Sequence, residues 1–300
     1  MSTTSEIERE TVQTSSQRLL DSAEMLSYDP NEEIDWQAPL PEQHYGLTPE
    51  WSSLYGTPLW DELTEPQRVT LTRHEVGSIM TTGIWFEMIL QQMILRDQYV
   101  RNPANAEFQF ALTEIADECR HSLMFARATQ RLGVPAYLPP RWVSELGRFF
   151  KTTAGGVVAY GGTLVAEEVL DVLQRDVMRD DRVLDVVRTS SKIHVTEESR
   201  HMKFARDEIH EHVQRLGPVK RYLSGIAIAA VSYFIVGNLI NARVYDSVGL
   251  DRRRAVTAAA HNEHRKSVMR NACGGLMQFM SRAGLLNKAA IRIYRRVNMI

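Results

Sequence analysis

Two stretches of this chain carry the same kind of metal-capable side chains at the same spacing. The first runs Glu114-Ile-Ala-Asp-Glu118-Cys-Arg-His121, the second His194-Val-Thr-Glu-Glu198-Ser-Arg-His201. Each contains Glu-x-x-His, and each has another possible ligand four residues before that glutamate. On a helix, positions i, i+3 and i+4 share a face, so Glu118 and His121 can approach one ion together. Glu198 and His201 can do the same, with His194 one turn earlier. A single Glu-x-x-His is weak evidence because surface helices carry it by chance, but two copies 80 residues apart form a ruler. The same offset maps Glu87 onto Glu167, each 31 residues before the glutamate of its Glu-x-x-His.

Antiparallel helices place residues at one height when they lie equally far from the turn. The midpoint of Glu87 and Glu118 falls between Asn102 and Pro103, a good helix stop and restart. The midpoint of Glu167 and Glu198 falls between Arg182 and Val183, beside Asp180-Asp181. Each glutamate then stands about 15 residues, or roughly 23 Å of helix, from its turn. Four helices would bring Glu87, Glu118, His121, Glu167, Glu198 and His201 to one level of a bundle core. That is the carboxylate-bridged di-iron or di-manganese arrangement, with one Glu from each of two helices and Glu-x-x-His from each of the other two. Glu87 shares its face with Met80, Ile84, Leu90 and Ile94, where a carboxylate is costly to bury without a cation or proton. Glu168 is the alternative to Glu167, and only the ruler favours the latter. Glu75 could replace Glu87 but breaks both the ruler and the turn symmetry.

Around these residues, Asp117, Arg120, Glu197 and Arg200 flank the ligands in matching places. They either orient the histidines or pair with one another. Cys119 reads as a small core residue. His261 and His264 read as solvated side chains of a basic tail, and His74, His210 and His212 have no partner at informative spacing.

The elements that must position the cluster are helices almost throughout. From about Glu65 onward no run alternates apolar and polar residues long enough to insist on a strand. Punctuation at Asn102-Pro103, Gly133 through Pro139-Pro140, Gly155-Gly156, Gly161-Gly162, Gly217-Pro218 and Gly249 leaves helical segments near 66–101, 104–132, 141–178, 182–216, 219–247, 252–271 and 285–297. The expected fold is all-α, a ferritin-like four-helix bundle with additional helices, in a single domain over 51–300. Residues 1–50, polar and proline-rich, read as an acidic, partly disordered lead-in with one short helix around 17–26. Residues 222–240 hold no charge and reach the length of a membrane span. Their Ser, Gly and Asn content instead suggests a buried helix of the bundle or of a dimer interface.

Composition bounds the function. Thirty-five basic and 37 acidic residues leave a net charge of −2, without the strongly basic footprint of a general nucleic-acid binder. Two cysteines in 300 residues exclude a disulfide scaffold and a cysteine-based zinc site. The charge is unevenly placed: residues 1–65 carry 14 acids and two Arg, and residues 243–300 carry 12 basic residues and three acids. The two solvated ends could lie against each other. No secretory signal is visible at the N-terminus, which makes the cytoplasm the expected location.

Taken together, the motifs Ile84-Trp-Phe-Glu87, Glu118-x-x-His121, Val165-Ala-Glu167-Glu168 and His194-x-x-x-Glu198-x-x-His201 resemble the AurF-type di-iron arylamine N-oxygenases, the p-aminobenzoate N-oxygenase-like family. The resemblance covers roughly residues 71–241. Its most specific element is the third histidine, His194, which generic ferritin-like sites lack. It implies a seven-ligand site of Glu87, Glu118, His121, Glu167, His194, Glu198 and His201, two iron ions (manganese being the other metal open), and O2 as co-substrate. It also implies a homodimer and oxidation of an aromatic amine through the hydroxylamine toward the nitro compound. No residue is needed as a covalent nucleophile. The chain shows no flavin or dinucleotide fingerprint, so electrons would come from a ferredoxin or reductase, for which the basic tail is a possible docking face. Alternatives are a di-iron hydroxylase or desaturase acting on another small or lipid-like substrate, and a ferroxidase-like iron protein.

Overall fold

The computed structural model describes the backbone of residues 3–300 and the side chains of residues 14–300. In chain order the helices are α1 (Thr3–Met25), α2 (Pro30–Glu33), α3 (Pro58–Glu62), α4 (Glu65–Gln98), α5 (Ala106–Leu132), α6 (Arg141–Thr153) and α7 (Gly156–Val177). They continue with α8 (Asp185–Gln214), α9 (Pro218–Asn238), α10 (Arg252–His261), α11 (Glu263–Ala272), α12 (Gly274–Arg282) and α13 (Lys288–Arg296). Among the described residues there is no strand, only an isolated bridge between Tyr45 and Val183.

Two long hairpins, α4–α5 and α7–α8, form the bundle, and their turns fall where the ruler requires. Thr64 and Gln67 form a capping box that starts α4, satisfying backbone N–H groups that the first turn leaves unpaired. Residues 99–105 then reverse the chain around Asn102-Pro103. α5 stops at Gly133, in the left-handed region at φ 67°, a conformation that glycine adopts without a Cβ clash. The second turn is pinned from outside. Tyr45 donates its N–H to the Arg182 carbonyl at 2.9 Å, and Leu184 donates to the Tyr45 carbonyl at 3.0 Å. Between the hairpins, Ile79, Met80, Phe110, Phe125, Leu164, Ile193 and Phe204 are buried in one apolar core. Each such side chain contributes about 1.5–3 kcal/mol by leaving water.

Three expected elements differ. The expected helix over 141–178 breaks at Gly155-Gly156, where Gly156 takes φ +51°, and becomes α6 and α7. The segment expected over 252–271 is interrupted at Asn262, whose side chain accepts from the Arg265 N–H to start α11. The Asn262 amide also donates to the Ser53 and Tyr55 carbonyls at 3.0 and 2.8 Å, and Arg254 pairs with Glu62 at 2.9 Å. The acidic head and basic tail therefore meet here. The lead-in carries a longer helix than the one expected at 17–26, and Ser15 donates to Asp207 of α8 at 2.8 Å.

α9 is only partly covered within one chain, which departs from a helix buried in the bundle and leaves the dimer-interface alternative open. Ile228, Ala229 and Ser232 are buried, with Ile228 lying against Gly161 of α7, but Tyr222, Leu223 and Tyr233 face solvent. Only 39% of the most apolar window of residues 218–248 is covered, because α7 and α13 pack against one side. This segment is long and apolar enough to cross a membrane, as core helices of soluble proteins also can be.

At the other end of α9, a Cβ on Gly225 would stand 2.1 Å from the Leu285 carbonyl oxygen. That backbone precedes α13 and has little room to move. Gly225→Ala is expected to destabilise the fold by about 1–3 kcal/mol, read as a fall of several degrees in Tm. An unchanged melting curve would contradict the packing of α9 on α13.

Candidate metal centre

All seven residues expected to ligate are buried at one level of the bundle. Glu87 comes from α4, Glu118 and His121 from α5, Glu167 from α7, and His194, Glu198 and His201 from α8. Their donor atoms gather into overlapping groups, each within 4.8 Å: Glu87 with His121 and His194, Glu118 with His121 and Glu198, and Glu114 with Glu118 and His201. Glu118 spans the cluster, its Oε1 lying 3.2 Å from His201 Nδ1 and its Oε2 3.5 Å from His121 Nδ1. Glu198 Oε1 faces all three imidazoles, at 3.3 Å from His121, 3.5 Å from His194 and 3.2 Å from His201. Glu167 belongs to none of these groups, but both its oxygens are buried without a hydrogen-bond partner.

The histidines are held from behind. His121 Nε2 lies 2.6 Å from Glu197 Oε2, His201 Nε2 lies 3.2 Å from Asp117 Oδ2, and His194 Nδ1 lies 2.7 Å from Gln174 Oε1. In each ring one nitrogen donates to an outer acceptor, which leaves the lone pair of the other pointing into the cluster. Asp117 and Glu197 therefore orient histidines and also pair with the flanking arginines. Arg120 bonds Asp117 and lies 3.5 Å from Glu197, and Arg200 lies 3.6 Å from Asp117. The lead-in reinforces this, since the Tyr28 N–H donates to Glu197 at 3.1 Å and Arg200 donates to the Leu26 carbonyl at 3.0 Å.

Unpartnered buried atoms are the test of whether these residues suit metal ions. Glu87 Oε1, Glu114 Oε2, both oxygens of Glu118 and of Glu167, Glu198 Oε2 and His121 Nδ1 all lack a hydrogen-bond partner. Buried polar groups are seldom left this way, and oxygen and imidazole donors suit iron or manganese. Five carboxylates converge, and two divalent cations would offset four of their charges. The residues fit a dinuclear centre.

Electrostatics give the same answer. Burial, then neighbouring acids, holds Glu114 and Glu167 well above the usual carboxylate range, and burial also raises Glu87. Burial opposes charge on His121 and His201 too. Contacts from Glu118, Glu197 and Glu198 to His121, and from Glu198, Asp117 and Glu118 to His201, outweigh it and raise both well above 6.5. Glu198 is also pushed up by burial, but His201 and His194 carry it well below its ordinary value. Raised folded-state values, for acids and imidazoles alike, give stability that is present below the unfolded pKa and lost as pH rises through the folded one. Glu198 acts oppositely, but only below about pH 4.5. The metal-free chain is therefore expected to lose Tm as pH rises above 6.5, and Fe(II) or Mn(II) should flatten or reverse that slope. A metal-free chain whose Tm rises from pH 6.5 to 9 would contradict this.

Glu168 turns away from the cluster onto Arg206. Glu75 is engaged by the Ser53 N–H at 2.9 Å and by its hydroxyl. Cys119, expected in the core, is exposed, because its helix face looks away from the bundle. His261 is solvated, whereas His264 lies 2.9 Å from the Glu50 carbonyl. His74 meets the Tyr137 hydroxyl at 2.6 Å, and His212 joins Asp97 and Glu208 in a separate cluster. Sequence reasoning missed Gln174, which has no counterpart under the 80-residue offset, and Ser122, whose hydroxyl donates to Glu87. It named Glu114 as a possible ligand and as the counterpart of His194, but left it out of the seven-ligand set.

On the side of Glu87 and Glu167 the cluster opens into a cavity of about 810 Å³, counting the space at its mouth. Its walls are Trp85, Phe86, Ile89, Leu90 and Met93 of α4, Leu146 and Phe150 of α6, Ala166 and Leu170 of α7, and Val231, Phe234 and Ile235 of α9.

Comparison with known proteins follows the same lines. A family model described as p-aminobenzoate N-oxygenase AurF matches residues 9–284, including most of the lead-in and basic tail beyond the span of the motifs. Uncharacterized proteins of Mycobacterium bovis and Mycobacterium tuberculosis are 28% identical over 211 residues, 65% of this chain. The match spans 60% of the length of those relatives. The bundle is ferritin-like and the chain belongs to the AurF family of di-iron oxygenases.

Proposed function

We propose that this protein is a non-haem di-iron oxygenase that oxidises an aromatic amine through the hydroxylamine toward the nitro compound. The observation that carries this reading is an apolar cavity ending on buried, unpartnered donor atoms in a chain of this family. Glu87, Glu118, His121, Glu167, His194, Glu198 and His201 would hold two iron ions, and bound iron would supply the redox chemistry that activates O2. Glu118 lies within reach of His121 and His201, and Glu198 of all three imidazoles, so both would contribute to holding the metal. Glu114 would add an eighth ligand beside Glu118 and His201, in the place that His194 occupies on the other helix. Asp117, Glu197 and Gln174 keep the imidazoles aimed. Apolar lining residues such as Phe86, Leu90 and Leu170 would limit water in the cavity, and no side chain is required as a nucleophile.

Electrons are proposed to come from an external ferredoxin or reductase. A homodimer and a cytoplasmic location belong to the same reading, and the exposed Tyr222 and Leu223 on α9 support a self-association face. The same apolar walls also suit a second reading, hydroxylation or desaturation of another small or lipid-like molecule.

The deciding experiment supplies the reduced, iron-loaded protein with O2 and a set of aryl amines. Hydroxylamine and nitro products are expected. Oxygen uptake that leaves every amine unchanged would reject the N-oxygenase reading, and Fe(II) oxidation alone would point to a ferroxidase. The ligand assignment has its own test. Glu114→Gln is expected to weaken one iron at least tenfold and His194→Ala the other, seen as loss of different Mössbauer doublets. Loss of the same doublet in both variants would contradict the assignment.

A further inference from the structure

We infer that the cavity takes a neutral, weakly polar substrate and discriminates against an amine that carries a carboxylate, such as p-aminobenzoate itself. The inference rests on the di-iron reading above and specifies the substrate class of that site. Among the described residues lining the cavity there is no Arg or Lys. Apart from the metal-facing Glu and His residues, its polar groups are the Thr163 hydroxyl and the Trp85 indole. With an amine directed at the cluster, the rest of an aromatic ring would lie between apolar walls that include Phe150, Val231 and Phe234. A carboxylate buried there has no counter-charge, and such burial is strongly unfavourable.

Cations near the cavity are already committed. Arg96 lies in an adjoining pocket that shares Met93 and Thr163, is exposed, and donates to the Lys151 carbonyl. Lys151 donates to Gln92, and Arg148 pairs with Glu145 at 3.0 Å. The mouth is apolar as well. Leu146, the most exposed lining residue at 42%, stands beside exposed Trp142 and Phe149 on α6. A molecule entering there passes hydrocarbon and aromatic surface, which favours neutral, apolar substituents.

The test uses the iron-loaded protein without O2 and three probes with the same aryl amine: 4-aminobenzoate, its methyl ester and its butyl ester. Calorimetric titration is expected to give a Kd for the methyl ester at least tenfold below that of the acid, with the butyl ester tighter still. An acid that binds as tightly as the methyl ester would overturn the inference, as would failure of all three to bind. Leu146→Arg, at the exposed mouth, supplies the missing counter-charge and should narrow the acid–ester gap at least threefold. An unchanged gap in that variant would show that charge is not the discriminant and would also overturn it. Esters that bind but are not oxidised when O2 is admitted would reject the N-oxygenase reading while leaving the substrate class intact.

Discussion

The centre depends on a reciprocal exchange between two helices. Asp117 of α5 holds His201 of α8, and Glu197 of α8 holds His121 of α5. Each of these two histidines is aimed by a carboxylate of the other helix. Charge-assisted hydrogen bonds of this kind contribute about 1.5–3 kcal/mol each, but their larger consequence is geometric. They fix the ring plane before any metal arrives and leave the inner nitrogen to lose its proton when a metal binds. Arg120 and Arg200 neutralise the two outer acids, and Ser27, Tyr28 and Leu26 of the lead-in bond this layer in turn. The acidic N-terminal segment is thus part of the support of the centre.

That exchange makes sense of an otherwise unfavourable core. Five buried carboxylates at one level oppose folding through desolvation and mutual repulsion. The apolar layers above and below, with Phe110, Phe125, Leu164 and Phe204, offset part of that cost. Metal binding would remove most of the remainder. Function and stability therefore meet in the same atoms, and the oxygens left without partners are those that the proposed chemistry requires. The cavity continues this division of labour, with charge confined to the metal-facing residues and a largely apolar lining elsewhere.

Much of this was legible because the two hairpins repeat. The 80-residue offset aligns Glu118 with Glu198, His121 with His201 and Glu87 with Glu167, and helix periodicity puts each pair on an inward face. The all-α class and both bundle turns follow from the same pattern. What escaped depends on contacts between elements distant in sequence. Gln174 reaches His194 only because α7 and α8 pack side by side, and no spacing announces it. Arg206 claims Glu168, a partnership that separates Glu168 from Glu167 only in three dimensions. Half-exposure of α9 was hidden because an unbroken apolar segment looks the same whether one side or all of it is covered. Cys119 misled for the converse reason, as a small apolar residue tolerated on an outward face.

Anaerobic titration of the metal-free chain with Fe(II), followed by Mössbauer and integer-spin EPR spectroscopy, bears most directly on the central claim. The account predicts saturation at two irons per chain with the spectroscopic signature of a coupled pair. A folded chain that binds no iron, or binds one iron with no coupling to a second, would contradict it.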